Sequence, residues 1–334
     1  TGLIGDPRPT AEREIISKEK LQKNFEGIKK QVSTILEGKA EIVNNYDWMK
    51  NYTYLEFLRD IGKYINVNYM LAKDIISRRL ETGITYAEFS YTLLQGYDFL
   101  HLYREKNCML QAAGSDQWGN ITTGIELIKK IEGKEAYGFT MPLILDANGN
   151  KFGKSEGNAL WLDKNKTSSY ELYQYLINSD DTKVEEYLKV YTFLNKQEID
   201  DIMEKHKEQP HLRIAQEKLA QEFITDLHGE NEYLNAKQIS EALFKNDIKN
   251  LSDEQLSQAF KGVPTFKLEK GKTILEILTE NNIASSRREA REFLNNNAIT
   301  LNGETINDEN YKIDNNKKYN IIRKGKKKYF VLER

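Results

Sequence analysis

Three polar side chains recur at helical spacing between residues 91 and 98. Tyr91, Gln95 and Asp98 stand at positions i, i+4 and i+7, so a helix would place a phenol, an amide and a carboxylate on one face. Such a face suits a ligand that carries an ammonium and a hydroxyl group. It also suits an internal hydrogen-bond network, because buried polar groups without partners cost about 1–3 kcal/mol each. The spacing alone leaves both interpretations open.

A second polar group lies at residues 114–120, where the sequence is GSDQWGN. It follows residues 108–110, which we predict to be a short buried strand, and a helical pattern resumes from residue 121 to residue 131. A strand, a glycine turn and a helix together offer backbone N–H groups to a ligand, and an acid and an amide at the start of a helix suit a ribose and phosphates. The alternative is a plain turn in which Asp116 caps the helix.

A pair of lysines flanks a glycine at residues 151–155, with the sequence KFGKS. A Walker A loop requires four residues between its two glycines, whereas Gly149 and Gly153 enclose three, so that motif is excluded. Lys151 and Lys154 could instead meet phosphates, because an ammonium on a flexible stem suits a developing charge. A solvated basic loop is the alternative.

The elements that must position these groups fall into three segments. Residues 1–165 mix short apolar runs, glycine turns and helical patterns, including predicted helices at 20–36 and through most of 61–99 and a predicted strand at 142–145. Residues 166–250 have few glycines and predict an all-helical domain.

The remainder of the chain changes character again. Residues 251–272 predict a linker, and residues 273–334 a small mixed domain. In that domain Ser285 or Ser286 can cap a helix that carries several arginines, Asn302-Gly303 predicts a tight type I′ turn, and the chain closes on a hairpin with a basic tip.

Composition excludes several classes of protein. The 334 residues include 49 basic and 51 acidic side chains, a net charge of -2, which excludes a uniformly basic protein that coats nucleic acid. No apolar run approaches the roughly 18 residues needed to cross a membrane. The one cysteine, Cys108, cannot form an internal disulfide, and with four scattered histidines it makes a structural zinc site improbable. A reducing compartment, most simply the cytoplasm, is expected.

In this order and spacing, these groups closely resemble those of bacterial tyrosyl-tRNA synthetases, and the resemblance covers essentially the whole chain. The sequence TGLIGDP at residues 1–7 is a further marker. The resemblance implies an α/β fold: a Rossmann-type class I catalytic domain, incomplete at its N-terminus, then an α-helical domain that binds the tRNA anticodon, and then a small α+β domain resembling the S4 RNA-binding domain.

The resemblance also implies roles for individual residues, each at its position in this sequence. The residues assigned to the tyrosine ammonium are Asp6, Tyr91 and Gln95. The phenol is assigned to Asp98, and the amino-acid pocket includes Gln111. Those assigned to the adenylate are Gly114, Asp116, Gln117 and Lys154, and those assigned to the catalytic lysine loop are Lys151, Lys154 and Ser155. Those assigned to RNA are Arg287, Arg288, Arg291, Arg323, Lys324, Lys326, Lys327 and Lys328.

The implied activity is ligation of tyrosine to tRNA(Tyr). Tyrosine and the ATP–Mg²⁺ substrate complex would give tyrosyl-adenylate and pyrophosphate, and the tyrosyl group would then pass to the 3′ end of the tRNA. The resemblance implies a homodimer, and the composition predicts a cytoplasmic protein with no protein-bound metal and no membrane association. The tryptophanyl relatives are a rival hypothesis, because they share the fold. They do not share the pattern of Tyr91, Gln95 and Asp98 together with an S4-like tail.

Two departures from the family pattern stand out. Ala112-Ala113 lies where many relatives have a glycine, and none of the four histidines (His101, His206, His211 and His228) lies in the His-x-Gly-His type of motif that stabilises the ATP phosphates. The chain starts at Thr1 without a signal-peptide pattern, and we expect a front portion of roughly 60 or more residues to be missing. This expectation makes the activity of residues 1–334 alone doubtful. The alternative function is an inactive, synthetase-derived RNA-binding protein.

Overall fold

The structure, a computed structural model, describes residues 2–7, 14–155, 158–313, 317–325 and 328–334. By its internal contacts the chain divides into two units, Thr1–Leu145 and Asp146–Arg334. The predicted catalytic segment extends to residue 165, whereas the first unit ends at Leu145. The lysine segment at 151–155 therefore belongs to the second unit.

The first unit is built from helices and a pair of strands. Its described elements are α1 (Lys18–Ile35), α2 (Tyr46–Met49), α3 (Tyr54–Asp60), α4 (Val67–Leu71), α5 (Asp74–Ser77), α6 (Tyr86–Lys106), β1 (Leu110–Gly114), α7 (Trp118–Glu132) and β2 (Tyr137–Met141). Strands β1 and β2 are parallel and in register from Leu110↔Tyr137 to Gly114↔Met141. Parallel neighbours need a crossover, which α7 supplies, and the result is the βαβ unit expected of a Rossmann-type domain.

Two strand predictions in this unit were wrong in their bounds. The strand predicted at residues 108–110 begins at Leu110, and half of that side chain is exposed. The strand predicted at 142–145 lies earlier, at Tyr137–Met141, and Pro142 follows its end. Proline has no N–H to donate to a strand ladder, which explains the end at this residue. Along β2, half-buried residues on one face alternate with exposed residues on the other, so β2 is not a fully buried strand.

The close packing of α6 against α7 depends on two glycines. A Cβ at Gly96 would lie 3.0 Å from Thr123 Cγ2, and a Cβ at Gly124 would lie 2.8 Å from Phe99 Cβ. Helix α6 starts after Thr85, whose side chain accepts from the N–H of Glu88. The glycines let the backbones approach, so the polar side chains of α6 lie beside the start of α7.

The second unit holds a short hairpin, a helical segment and a five-stranded sheet. Its described elements are β3 (Lys154–Ser155), β4 (Asn158–Ala159), α8 (Ser169–Ile177), α9 (Val184–Tyr191), α10 (Lys196–Glu208), α11 (Ile214–His228), α12 (Glu230–Lys245), α13 (Asp253–Ala259), β5 (Thr265–Lys267), α14 (Ile274–Glu280), α15 (Arg287–Asn295), β6 (Ile299–Leu301), β7 (Glu304–Thr305), β8 (Tyr319–Lys324) and β9 (Lys328–Glu333). The strand order of the large sheet is β5-β9-β8-β6-β7. The segment predicted to be all-helical contains α8 to α12.

The segment expected to be a linker, 251–272, contains helix α13 and strand β5. Strand β5 runs parallel to β9 and completes one edge of the large sheet. Leu251 and Leu256 share a buried cluster with Ile321 of β8 and Val331 of β9. Gly262 and Gly271, both with positive φ, lie in the turns on either side of β5. The prediction of a linker was therefore wrong, since it included neither α13 nor β5.

The local predictions for the C-terminal residues are confirmed. Ser286 caps α15 by accepting from the N–H of Glu289. Asn302 and Gly303 have φ values of 50° and 92°, the left-handed backbone of a type I′ turn between β6 and β7. Strands β8 and β9 pair over six residues as the predicted hairpin.

Candidate active site

Asp98 lies on α6 and is held by two N–H donors from the segment around α2. Asn45 Nδ2 donates to Asp98 Oδ2 at 2.9 Å, and Trp48 Nε1 donates to Asp98 Oδ1 at 2.8 Å. Burial raises the pKa of the Asp98 carboxyl above its usual range, although these two donors oppose the rise. A carboxylate has about four acceptor positions, so each oxygen can still accept a hydrogen bond from a ligand.

Asp6 accepts hydrogen bonds from two amides at the start of α7. Gln117 Nε2 lies 3.1 Å from Asp6 Oδ2, and Asn120 Nδ2 lies 3.2 Å from Asp6 Oδ1. Asn120 Nδ2 also donates to Gln117 Oε1 at 3.0 Å, and Thr92 Oγ1 donates to Asn120 Oδ1 at 3.0 Å. The threonine hydroxyl thereby fixes the orientation of the Asn120 amide, which in turn orients the amide that contacts Asp6.

The predicted polar stripe does lie along α6. Tyr91 is buried, and Gln95 and Asp98 are half-buried. Thr92, beside Tyr91, donates to Asn120, which also donates to Asp6. The network around Asp6 and Gln117 therefore contacts the helix that carries the stripe. Internal hydrogen bonds therefore satisfy part of this face, as the alternative interpretation expected.

Gln111 lies on β1, and its Oε1 atom is buried without a hydrogen-bond partner among the described residues. Buried acceptors of this kind are uncommon in folded proteins. A carbonyl oxygen in this state is available to a bound molecule, which agrees with the expected place of Gln111 in a ligand pocket.

The glycine turn after β1 is shaped by Gly114. A Cβ at this position would lie 2.9 Å from Asp116 Oδ1 and 3.3 Å from Leu143 Cδ2, so a side chain would displace the carboxylate. Residues 115–117 form a 3₁₀ turn, and α7 begins at Trp118. The residue that caps α7 is Gln117, whose side chain accepts no backbone N–H of the helix, so Asp116 is not the helix cap that the alternative interpretation proposed.

The lysine segment leads into a short hairpin of the second unit. Lys151 is exposed, Phe152 is half-buried, and the backbone of Lys154 and Ser155 forms β3. The Gly153 carbonyl accepts from the N–H of Leu160 at 2.9 Å, which extends the hairpin by one bond. Gly153 has a φ of 75°, which favours glycine at this position.

Of the arginines expected to contact RNA, two lie exposed in the first turn of α15. These are Arg287 and Arg288. Arg291, one turn further along, donates from Nε to Glu309 Oε2 at 2.5 Å. Its charge is therefore balanced within the domain, whereas the first two arginines face solvent.

Lys324 has a different position from the one expected. Its ammonium donates to the Ile283 carbonyl at 2.8 Å and lies 4.0 Å from the centroid of the Phe293 ring. These contacts hold the lysine against its own domain, so we do not assign it to an RNA surface. The other basic residues of the hairpin are Arg323, which is half-buried, Lys328, which is exposed, and Lys326 and Lys327, which lie outside the described residues.

Four residues of these networks were not among the predicted site residues. Asn45 and Trp48 lie roughly fifty positions from Asp98 in a segment without periodicity. Asn120 stood in the glycine-turn motif, and Thr92 stood beside the polar stripe, but their types are common in helices. A general rule that a buried carboxylate needs N–H donors predicts such partners without identifying them.

The fold and these groups place the chain in a class of proteins. Residues 1–245 match the family model described as tRNA synthetases class I (W and Y). Two solved structures are similar. They are C-terminally truncated mitochondrial tyrosyl-tRNA synthetases from Coccidioides posadasii (TM-score 0.59, 31% identity, 70% of this chain and 70% of that chain) and from Aspergillus nidulans (TM-score 0.57, 32% identity, 72% and 74%). The chain is a class I synthetase.

Two further matches separate the tyrosine branch from the tryptophan branch. Residues 255–332 match the model described as the tyrosine–tRNA ligase SYY-like C-terminal domain. The tyrosine–tRNA ligase of Leuconostoc mesenteroides subsp. mesenteroides is 48% identical over 339 residues, which covers 99% of this chain and 82% of the relative. The chain belongs to the tyrosyl-tRNA synthetase family, and the tryptophanyl hypothesis is not favoured.

The described residues lack both a cluster of metal ligands and a membrane-spanning helix. They contain no group of three or more His, Cys, Asp and Glu side chains arranged to hold a metal ion. Within the same ranges, no helix has both the length and the apolar character to span a membrane.

Proposed function

We propose that this chain ligates tyrosine to tRNA: it activates L-tyrosine with the ATP–Mg²⁺ complex and then transfers the tyrosyl group to the 3′ end of tRNA(Tyr). The observation that carries this proposal is the half-buried Asp98 carboxylate, held by Asn45 and Trp48. Two N–H donors fix its direction, and its remaining lone pairs can accept a phenol O–H. The 48% identical tyrosine–tRNA ligase makes an inactive RNA-binding protein the weaker alternative.

The tyrosine ammonium is assigned to Asp6 together with the stripe on α6. A carboxylate favours a cation, and its fixed amide partners keep both oxygens in place. The full proposed tyrosine site is Asp6, Tyr91, Gln95, Asp98 and Gln111, and the adenylate contacts are Gly114, Asp116, Gln117 and Lys154. Asn45, Trp48, Thr92 and Asn120 are positioning residues, because they act through the carboxylates.

In the first step the tyrosine carboxylate attacks the α-phosphorus of ATP, and pyrophosphate leaves. The protein contributes positioning and charge stabilisation, since no protein nucleophile is required. Lys151 and Lys154, with Ser155 beside them, are assigned to the negative charge that develops on the departing pyrophosphate. Magnesium enters as part of the nucleotide substrate.

Tyrosine-dependent ATP–pyrophosphate exchange tests this proposal. We expect exchange with tyrosine and much weaker exchange with phenylalanine, because phenylalanine leaves a buried acceptor unpaired. Equal exchange with the two amino acids would contradict the assigned pocket. RNA binding without any exchange would favour the inactive alternative.

The tRNA is assigned to the helical segment 166–250, as the anticodon-binding part, and to residues 273–334. Two exposed arginines, Arg287 and Arg288, are the phosphate contacts we assign on α15. Deleting 273–334 would be a poor test, because it removes Ile321 and Val331 from a core shared with Leu251. Substitution of the two arginines keeps that core intact.

The double variant Arg287→Ala/Arg288→Ala should charge tRNA less efficiently and leave pyrophosphate exchange unchanged. Each lost phosphate contact should flatten the dependence of log K on log salt by about 0.7–0.9. Filter binding across a salt series measures this slope. The control Lys270→Ala/Lys312→Ala removes two exposed charges away from α15, one from residues 251–272 and one from residues 273–334. An equal change in the control would show that net charge, rather than α15, determines the affinity.

A homodimer in the cytoplasm completes the proposal. The first unit exposes an apolar surface at Tyr54, Leu55 and Tyr86, with exposed fractions of 63%, 76% and 58%. A hydrogen bond with Tyr54 raises the pKa of the Tyr86 hydroxyl, so these two tyrosines lie side by side. Patches of large apolar side chains are typical of protein interfaces, which supports a second copy of the chain as the partner.

A further inference from the structure

The lysine segment inserts an aromatic ring among the tyrosines of the helical segment. Phe152, between the two assigned lysines, lies edge-on to Tyr175, with ring centroids 5.3 Å apart and an interplanar angle of 80°. It also contacts Tyr187 at 4.8 Å and stacks on Tyr191 at 4.6 Å. These rings come from α8 and α9, so the position of the segment depends on helices whose assigned role is binding tRNA.

The next residue is held on both sides. Gly153 N–H donates to the Tyr175 hydroxyl at 3.1 Å, and the Gly153 carbonyl accepts from Leu160 N–H at 2.9 Å. Its positive φ is one that few other residues adopt, so the two bonds fix a specific turn. Lys154 follows this residue directly, and the direction of its backbone is set by that turn.

The chain that leaves the hairpin is also tied to the helices. His228, at the end of α11, has its Nε2 atom 2.9 Å from the Leu162 carbonyl, and its Nδ1 atom 2.9 Å from Ser169 Oγ. Trp161 N–H donates to Thr167 Oγ1 at 2.9 Å. With its exit fixed independently, the hairpin can remain folded when the contact at Gly153 is lost.

We propose that Tyr175 is a positioning residue for adenylate formation, which it serves by holding the lysine segment through the Gly153 N–H and the Phe152 ring. This inference rests on the proposed function, in which Lys151 and Lys154 meet the phosphates. Tyr175 makes both a ring contact and a backbone hydrogen bond to the segment. Its hydroxyl therefore restricts where the lysines can be when pyrophosphate departs, without contacting substrate.

The test is Tyr175→Phe in the full chain, which keeps the ring and removes the hydroxyl. The rate constant of tyrosyl-adenylate formation in pre-steady-state kinetics should fall about five- to tenfold, as expected for one hydrogen bond. The tyrosine dissociation constant should not change. Tyr170→Phe is the matched control: it lies on the same helix but packs with the cluster of Leu256 and Ile321, and we expect no change in the rate.

A double-mutant cycle with Lys154→Ala gives the readout that a merely structural role would not move. If Tyr175 acts by placing Lys154, its loss should cost little once that ammonium is absent, so the two effects should not add. Full additivity would overturn the proposal, as would a Tyr175→Phe rate equal to that of the unmodified chain. If the unmodified chain shows no tyrosine-dependent exchange, the proposed function fails instead, and the two failures are distinguishable.

Discussion

Lys154→Ala is expected to slow tyrosyl-adenylate formation by about 10²–10³-fold and to leave the tyrosine dissociation constant nearly unchanged. The reason is that the assigned charge is needed when negative charge develops on the departing pyrophosphate, and tyrosine binding precedes that moment. Interactions made only in the transition state lower the rate constant when they are lost, and do not weaken ground-state binding. Stopped-flow or quench-flow measurement of the first turnover separates these two quantities.

The control for this variant is Lys205→Ala, which removes an exposed lysine of α10. It should have the rate and the dissociation constant of the unmodified chain. A Lys154→Ala effect confined to the tyrosine dissociation constant would refute the assignment of this lysine to the phosphates.

Asp98→Asn should weaken the selection of tyrosine over phenylalanine by more than roughly tenfold. Discrimination of about 10⁵ without editing is the general expectation for enzymes of this class, and it arises because a polar group built for the phenol is left unpaired by phenylalanine. The amide keeps the size of the side chain, but it replaces one acceptor oxygen with a donor. Competition between the two amino acids in adenylate formation measures the ratio.

Asn45→Ala is the informative companion to Asp98→Asn. It removes one donor to the carboxylate and leaves the carboxylate and its Trp48 partner in place. We expect it to retain more selectivity than Asp98→Asn, because the group that accepts the phenol is still present. Selectivity unchanged in Asp98→Asn itself would remove this residue from the pocket.

Features encoded by neighbouring residues were predictable from the sequence. The Ser286 cap, the Asn302-Gly303 turn and the terminal hairpin each depend on a few adjacent residues, and each lies where it was predicted. Strand β5 was not predictable in this way. Its three residues form a strand because β9, over sixty positions later, supplies the hydrogen bonds. Composition within a short window contains no information about that partner.

The candidate site divides along the same line. Helical spacing placed Tyr91, Gln95 and Asp98 on one helix, and this is confirmed. The donors that fix the carboxylate of Asp98 come from another segment and depend on tertiary packing. The buried surroundings that raise the pKa of Asp98 are likewise a property of the folded chain. Sequence patterns identified the reactive groups, and the fold determines their environment.

The cluster shared by Leu251, Leu256, Ile321 and Val331 decides how this chain could be recombined with its relatives. A chimaera joined at residue 272 would inherit the first two side chains from one parent and the last two from the other. Because a close-packed interior tolerates little change in volume, parents that differ here would yield a mismatched interior. The four positions are therefore best taken from the same parent. Libraries of recombined synthetases should keep them together, although they lie on both sides of the predicted boundary at residue 272.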